Sequence, residues 1–277
     1  MRAFCFALCI LAAPVVAQDR IPSHCIALSE VAPGSEYVHQ ATFREAVQPE
    51  EVRIIYIDHA MFLIQGQGGT DVVTDYAGFV GNVDWLPDVV TMNNAHSTHW
   101  TAFPDPDIPQ ALEGWADEDG ARAHYLEMGD MLIRNVHTDT RRGGFGDGTN
   151  ITPNGNSIFV FEVAGLCIGH LGHLHQEPTD AQYAALGRVD VVMAAVDGGL
   201  TLDHPTLLRV MDRLRSSVVI PMHWFGRQTL DAFVAEMEES GYEVERPGAV
   251  PLTLSLSTLP SQPTVIVLEP RFLSETE

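Results

Sequence analysis

The sequence predicts a mixed α/β protein in which two β-sheets pack against each other and helices lie outside them. Three observations indicate this arrangement. Short apolar runs typical of strands occur in both halves of the chain, and amphipathic helical patterns are concentrated in the second half. Hydrophobic residues make up 45% of the 277 residues, which is enough for a large core. Layered sheets with outer helices bury the apolar faces of both element types.

Strand patterns dominate the first half of the chain after residue 51. β-Branched and aromatic residues favour extended backbone, and the glycines of segment 66–69 predict a turn between two of the strands. Residues 101–130 contain three prolines and many acids, which predicts a loop with one short helix. The strands predicted here are 53–58, 61–65, 71–74 and 88–92.

The second half of the chain mixes strands with helices. Thr179 or Asp180 is a suitable N-cap for the first helix, and Pro205 is tolerated in the first turn of the second. The segment 141–148, two arginines followed by a glycine-rich run, predicts a flexible loop. The predicted helices are 179–186, 204–215 and 229–240, and the predicted strands are 131–136, 157–163, 166–169, 190–195, 217–220 and 264–268.

The N-terminal residues predict export. Residues 1–17 have one basic residue, a short apolar core and a Val15-x-Ala17 ending, which together predict a secretory signal peptide. Residues 18–50 are weakly patterned and predict a surface lead-in, and 51–277 form one predicted domain. The apolar run is too short to span a bilayer, so we expect a periplasmic or secreted protein without membrane insertion.

The charge of the chain restricts its partners. A formal net charge of -22 disfavours nucleic acid and anionic membranes, so the expected partner is a small-molecule substrate. All 15 basic residues are arginine, which excludes a Schiff-base lysine. The sequence predicts no particular oligomeric state.

The cysteines predict no metal site of their own. Cys5 and Cys9 leave with the predicted signal peptide, and Cys25 and Cys167 have no paired, zinc-like spacing. Export permits a disulfide between these two. However, Cys167 lies in the apolar run Leu166-Cys167-Ile168, so the sequence favours a buried free thiol.

Histidines at strand ends are the strongest functional signal. His96 and His99 follow the apolar run that ends at residue 92, and His173 and His223 follow later apolar runs. Strands that end in histidines bring these side chains to one edge of a sheet. Neutral imidazole is a good ligand for zinc, iron, copper or nickel. The sequence therefore predicts a metal site at a sheet edge.

Seven short segments between about residues 52 and 225 occur in a recognisable order. They are Asp58-His59-Ala60-x-Phe62-Leu63-Ile64, Thr74-Asp75-Tyr76, Asn94-Ala95-His96-Ser97-Thr98-His99, Val136-His137, His170-Leu171-Gly172-His173, Ala195-Val196-Asp197-Gly198-Gly199 and Ile220-Pro221-Met222-His223. In this order they resemble the metallo-β-lactamase fold superfamily, in the branch of ascorbate-6-phosphate lactonase-like hydrolases. The resemblance implies a four-layer αββα sandwich and a metal-dependent hydrolase.

Three departures from the family pattern bear on the number of metals. The first histidine of the family motif is replaced by Asn94, the water-orienting aspartate by Thr98, and the bridging aspartate by His173. An imidazole offers one lone pair to one metal, whereas a carboxylate bridges two. We therefore expect one divalent metal per chain, with zinc favoured and iron as the alternative.

The resemblance implies a set of ligands. The preferred set is His99, His173 and His223, with His96 as a fourth ligand or close neighbour. His137 occupies the position of a single family ligand, and an exposed loop histidine is its alternative. The remaining candidates are Asp75 as an acceptor for a ligand histidine, and Asp197 and Thr98 as catalytic positions; Asp197 is a base or a structural turn residue.

Other polar residues near these motifs have simpler interpretations. His59 is interpreted as a structural hydrogen-bonding residue rather than a ligand, and His170 as a packing residue. His175 could reach the site. Arg141 and Arg142 could hold a carboxylate or phosphate, although solvated loop charges are the favoured interpretation.

The leading hypothesis for function is an exported hydrolase in which a metal-bound hydroxide attacks an ester, lactone or phosphoester. A second hypothesis is a non-catalytic periplasmic metal- or ligand-binding protein, since the aspartates that normally handle water are absent. A third is a mononuclear iron redox enzyme.

Overall fold

The computed structural model describes residues 23–27, 42–141 and 150–275. The predicted signal peptide 1–17 lies outside the described residues, as do residues 142–148 of the predicted flexible loop, including Arg142. Of the predicted lead-in, residues 23–27 and 42–50 are described. The first of these segments forms one short helix, α1 (His24–Ala27).

One sheet of six strands is built from the first half of the chain and one later strand. Its spatial order is β14-β1-β2-β3-β5-β6. The β1–β2–β3 part is antiparallel, whereas β3, β5 and β6 run parallel. The strands are β1 (Val52–Asp58), β2 (Met61–Gly66), β3 (Asp71–Val73), β5 (Val89–Met92), β6 (Gln110–Glu113) and β14 (Leu252–Leu254).

The second sheet has eight strands in the order β13-β15-β12-β11-β10-β9-β8-β7. Strands β7 to β10 form an antiparallel meander, and β10, β11, β12 and β15 pair in parallel. The strands are β7 (Tyr125–Met128), β8 (Met131–Arg141), β9 (Ile151–Val163), β10 (Leu166–His170), β11 (Val191–Ala195), β12 (Val218–Met222), β13 (Glu243–Gly248) and β15 (Thr264–Leu268).

The main core lies between the two sheets. Alternate residues of each strand point into it, so Ile54 and Phe62 of the first sheet share a cluster with Phe159 and Ile220 of the second. All four side chains are fully buried. Burying a large apolar side chain contributes about 1.5–3 kcal/mol, so this interface holds the two sheets together and fixes which strand ends meet.

The helices lie on the outer face of the eight-stranded sheet. They are α2 (Asp180–Leu186), α3 (His204–Leu214) and α4 (Arg227–Glu239). Thr179 caps α2 in a capping box with Gln182, and Asp203 caps α3. Their apolar faces cover the residues of β9 to β12 that point away from the main core. No helix in the described ranges is long and apolar enough to cross a bilayer.

The predicted packing of two β-sheets with helices outside them is confirmed as an α/β sandwich. The outer face of the six-stranded sheet packs against loop residues such as Phe43, Ile108 and Trp100. The short parallel pair β4 (Gly81–Asn82) and β16 (Leu273–Ser274) also lies in this part of the chain. Among the described residues, the side chains packed on this outer face come from strands and loops, and none comes from a helix.

Two sequence predictions about secondary structure are wrong. Residues 101–130 contain no helix but supply the edge strands β6 and β7, because sheet pairing stabilises short segments that have weak local preference. The hairpin strands β8 and β9 extend to Arg141 and from Ile151, well beyond the predicted 131–136 and 157–163. This longer hairpin carries polar residues toward the site described below.

The prediction of a buried free thiol is also wrong. Cys25 and Cys167 form a disulfide with a Cα–Cα distance of 5.8 Å. The cysteine on β10 is buried as predicted, but α1 lies directly against it. Ser23 and the backbone N–H of His24 donate hydrogen bonds to the buried carboxylate of Glu162. Residues 23–27 are thereby held against the second sheet.

Candidate metal centre

The candidate site lies where strand ends of the two sheets meet. Its residues follow strands or join them, because the carboxyl ends of neighbouring parallel strands lie at one edge of a sheet. His59 joins β1 to β2, and Asp75 and His99 follow β3 and β5. From the second sheet, His173, Asp197 and His223 follow β10, β11 and β12.

Three non-glycine residues at this edge have left-handed backbone. The φ angles are 46° at His59, 44° at Asp75 and 60° at His223. The His59 carbonyl accepts hydrogen bonds from the His223 N–H at 2.8 Å and from the Tyr56 hydroxyl at 2.5 Å. Left-handed backbone is uncommon for residues other than glycine, so its concentration here indicates a functional constraint.

His99 and His223 form the centre of the site. Their Nε2 atoms lie 3.0 Å apart, and both rings are buried. Nδ1 of His99 lies 2.6 Å from Oδ2 of Asp75, and Nδ1 of His223 lies 3.0 Å from Oδ2 of Asp197. Two nitrogen lone pairs would repel at 3.0 Å, so a proton or a metal cation must lie between the Nε2 atoms. Carboxylates behind ligating histidines are typical of metal sites.

Burial controls the protonation of the Asp75–His99 pair. Asp75 is fully buried, and burial raises its pKa to about 7, against the partial compensation of His170 and the Asn93 N–H. Burial and repulsion from His223 hold the pKa of His99 well below its usual value. Near neutral pH the line Asp75–His99–His223 therefore carries a proton that a bound cation can displace.

Asp197 is held by the turn that follows β11. Its Oδ1 accepts from the N–H groups of Gly199, Leu200 and Thr201, and its Oδ2 accepts from the Thr201 hydroxyl at 2.8 Å. Burial raises the pKa of Asp197, but the His223 side chain and these N–H groups together lower it below its usual value. Such a carboxylate is a weak base, and its position suits it to hold His223.

His59 belongs to the site, which the sequence interpretation missed. One nitrogen from each of His59, His99 and His223 lies within 4.8 Å of the others. The His59 ring centroid lies 3.9 Å from that of His223. Its buried Nε2 has no hydrogen-bond partner among the described residues, and burial followed by repulsion from His223 lowers its pKa to about 3. The early Asp58-His59-Ala60 motif was the available signal.

His173 shares a second cluster with His96 and His99. The backbone N–H of Arg141 donates to Nδ1 of His175, so the hydrogen of the neutral His175 ring is on Nε2. That hydrogen points to Nδ1 of His173 at 2.6 Å, which places the hydrogen of neutral His173 on its own Nε2. Burial lowers the pKa of both rings, that of His175 to about 4. His173 is therefore a hydrogen-bond donor at Nε2.

The second cluster is a poorer metal site than the first. His96 is exposed, and its Nδ1 lies 3.2 Å from the hydroxyl of Thr98. Because Nε2 of His173 carries a hydrogen, it has no free lone pair with which to bind a metal. The set that best fits a cation is therefore His59, His99 and His223, with His173 and His96 beside it.

Two other histidines point elsewhere. Nε2 of His137 lies 2.9 Å from the Arg122 carbonyl, and its Nδ1 lies 3.2 Å from the Ser157 hydroxyl. It is in neither histidine cluster, so its role as a ligand stays a prediction. Nε2 of His170 lies 2.8 Å from the Ala60 carbonyl, which agrees with the packing role expected for it.

A cavity of about 460 Å³ opens over the histidines. It is large enough for a small organic molecule. Its lining combines four histidines with apolar side chains and a few polar groups from the β8–β9 hairpin. The lining residues are Asn94, Ala95, His96, Trp115, Ala116, Thr140, Arg141, Thr152, Gly155, His173, His175, Leu200, His223 and Phe225.

Comparison with known proteins agrees with the fold. The family model described as the beta-lactamase superfamily domain matches residues 53–223, more than half of the chain. A UPF0173 protein of Pyrococcus abyssi is 20% identical over 204 residues, which cover 68% of this chain and 91% of that protein.

Solved structures show the same architecture. A candidate Zn-dependent hydrolase of the metallo-β-lactamase superfamily from Thermotoga maritima is 27% identical, with a TM-score of 0.56 over 79% of this chain and all of that one. Igni18, a metallo hydrolase from Ignicoccus hospitalis, is 16% identical, with a TM-score of 0.52 over 74% of this chain and 99% of that one. The narrower lactonase-like branch stays a prediction. The chain belongs to the beta-lactamase superfamily, as an α/β sandwich of the metallo-β-lactamase type.

Proposed function

We propose that this protein is a metal-dependent hydrolase whose metal is held by His59, His99 and His223. The observation that carries the proposal is the 3.0 Å separation of the His99 and His223 Nε2 atoms, with a carboxylate behind each ring. The orphaned Nε2 of His59 supplies a third nitrogen at the same place. Three imidazoles with an open fourth position are a typical catalytic zinc arrangement.

The donor set favours one zinc ion per chain. Burial lowers the pKa of His59 and of His99, which favours the neutral imidazole that a metal needs, and nitrogen ligands suit zinc or iron. No carboxylate lies among the three ligands to bridge to a second ion. When bound, the metal would supply Lewis acidity toward water and toward a carbonyl or phosphoryl oxygen.

The residues around this set have distinct tasks. Asp75 and Asp197 orient the rings of His99 and His223 from behind. His173 lines the cavity with a hydrogen on Nε2, so it can donate a hydrogen bond to a substrate oxygen. Thr98 bonds His96 and offers neither a negative charge nor a strong base. At position 98, where the family has an aspartate, this chain therefore has no carboxylate to accept a proton from water.

The proposed reaction is hydrolysis of an ester, lactone or phosphoester bond. Support comes from membership of the superfamily and from the similarity to the Thermotoga maritima protein described as a candidate Zn-dependent hydrolase. The cavity size fits a small molecule, which agrees with the expected small-molecule partner. The acidic chain would disfavour nucleic acid substrates.

We also propose that the protein is exported to the periplasm or secreted. The predicted signal peptide supports this location, and so does the Cys25–Cys167 disulfide. Structural disulfides persist in oxidising compartments and are rare in the cytosol.

A substrate panel tests the hydrolase proposal. Zinc-loaded wild type is assayed on esters, lactones and phosphodiesters beside H99A, H223A and H124A. We expect turnover of at least one class by wild type and H124A, because His124 lies outside both histidine clusters. H99A and H223A should lose at least about 100-fold in kcat/KM. Losses of this size are typical when one electrostatic contact to the transition state is removed. Tight zinc binding without any turnover would contradict catalysis and indicate a metal-binding protein.

A further inference from the structure

One guanidinium lies in the wall of the cavity. Arg141 ends strand β8 and lines the cavity together with His173 and His223. Among the described lining residues it is the only one with a permanent positive charge. The sequence favoured a solvated loop charge for this residue, and the structure places it in the cavity instead.

The position of Arg141 is set by the metal-site framework. Its Nη2 donates to the Thr201 carbonyl at 2.7 Å, and its backbone N–H donates to His175. Thr201 is buried and also bonds Asp197, which holds His223. The guanidinium and the ligand histidine are therefore positioned by the same turn.

Among the described residues, Arg141 forms no direct ion pair with a carboxylate, and Asp203 acts on it only as a more distant charge. Eight other arginines in the described ranges form ion pairs with carboxylates, and Arg141 is absent from these pairs. Its Nε is buried and has no hydrogen-bond partner among the described residues. An unpaired cation beside a cavity, in a chain with a net charge of -22, is a site for an anionic ligand.

We propose that Arg141 binds a carboxylate that the substrate carries apart from the bond that is cleaved. This inference rests on the proposed function, because the same cavity would hold the substrate. One guanidinium matches one carboxylate in charge and in planar geometry, whereas a phosphate dianion would leave one charge uncompensated. Leu200 and Phe225, which are 48% and 68% exposed, line the same cavity and would contact the hydrocarbon part between the two groups.

Binding of two matched small acids tests the proposal without any turnover. Glutarate carries two carboxylates, and glutaramate has the same length with an amide at one end. Their affinities are measured by calorimetry for wild type, R141Q, R141K and R209Q, each with and without one equivalent of zinc. Arg209 is an exposed, ion-paired arginine of α3, so R209Q is the matched control.

With zinc bound to hold one carboxylate, wild type and R209Q should bind glutarate about tenfold tighter than glutaramate, which is the size of one charge-assisted hydrogen bond. R141Q should reduce this ratio below about twofold, and R141K should retain part of it. Thermal unfolding identifies any R141Q preparation that has not folded. In that case the affinity ratio of R141K is compared with that of wild type. An unchanged ratio in R141Q, or equal binding of both acids by zinc-loaded wild type, would overturn the proposal.

Matched esters separate this inference from the hydrolase proposal. Wild type should hydrolyse the 4-nitrophenyl monoester of glutarate faster than 4-nitrophenyl pentanoate, and R141Q should lose that preference through KM. Hydrolysis of both esters at equal rates would reject the role of Arg141 and keep the hydrolase. Selective binding of glutarate without hydrolysis of any ester would keep Arg141 and reject the hydrolase.

Discussion

The Nε2 atoms of His99 and His223 lie 3.0 Å apart, one from each sheet, and each ring has a carboxylate oxygen at its other nitrogen. The pairing of the two sheets through the main core sets this distance, since His99 follows β5 and His223 follows β12. The contact between the two buried imidazole nitrogens is stable only with a hydrogen or a metal cation between them. The predictions below follow from this relationship and from the elements that hold it.

Removing the charge behind His99 should weaken metal binding. In D75N the amide keeps the shape of the buried side chain but loses the negative charge that faces Nδ1 of His99. We expect zinc affinity to fall about 10- to 100-fold, as for other partners of ligating histidines. Competition with a chromophoric chelator measures this. D231N, at an exposed ion pair on α4, is the control and should leave the affinity unchanged; equal affinities for D75N and wild type would contradict the assigned role of Asp75.

Zinc affinity should depend on pH through Asp75. Because burial raises the pKa of Asp75 to about 7, the metal-free pair gains a proton as the pH falls below 7, and zinc must displace that proton. Affinity should therefore fall as the pH is lowered from 7 to 5.5, by up to about tenfold per pH unit for one proton. His59, with a pKa lowered to about 3, stays neutral in this range. A flat profile for wild type, or the same slope in D75N, would show that another group controls binding.

The disulfide should contribute to stability. It closes a loop with a sequence separation of 142 residues, which restricts the unfolded chain. C25A should lower the free energy of unfolding by about 2–4 kcal/mol in urea titrations. A reductant should have a similar effect on wild type and none on C25A. The contribution of the disulfide would be contradicted if the reductant left the free energy of unfolding of wild type unchanged while mass spectrometry showed free thiols.

Gly172 should be required for the placement of His173. Its φ is +61°, and an added Cβ would lie 1.7 Å from Nδ2 of Asn93, so G172A must move the buried loop. We expect a loss of about 2–3 kcal/mol, the combined scale of overpacking and left-handed strain. G69A is the matched control, because Gly69 has a φ of +77° with open space around it, and its cost should be about 1 kcal/mol. If G172A and G69A lowered the free energy of unfolding equally, the contact with Asn93 would be relieved at little energetic cost.

Elements with strong local patterns could be predicted from the sequence. The strand 264–268 matches its prediction at both ends, and the helix after Thr179 begins at its capping box, because β-branched runs and caps act within a few residues. The edge strands in 101–130 could not be predicted, since they depend on pairing with β5 and β8. The left-handed turn at His59 and the approach of Cys25 to Cys167 are likewise set by distant parts of the chain.

The site was predictable as a set of strand-end histidines but not as a geometry. The motif order placed His99, His173 and His223 at one edge, and the structure brings these three together. Which nitrogen of each ring carries hydrogen depends on Asp75, Asp197 and His175, whose contacts span many residues. That information is the basis for proposing His59 rather than His173 as a ligand, and no local pattern contains it.

Metal content of the purified protein tests the central claim most directly. Wild type, H59A, H99A, H223A, H173A and H137A are loaded with zinc, desalted and measured by elemental analysis. We predict about one zinc per chain in wild type, H173A and H137A, and less than about 0.2 in H59A, H99A and H223A, since each of these three variants lacks one of the proposed ligands. Retention of zinc by H223A and H99A, or two zinc ions per wild-type chain, would contradict a single site built on the His99–His223 pair.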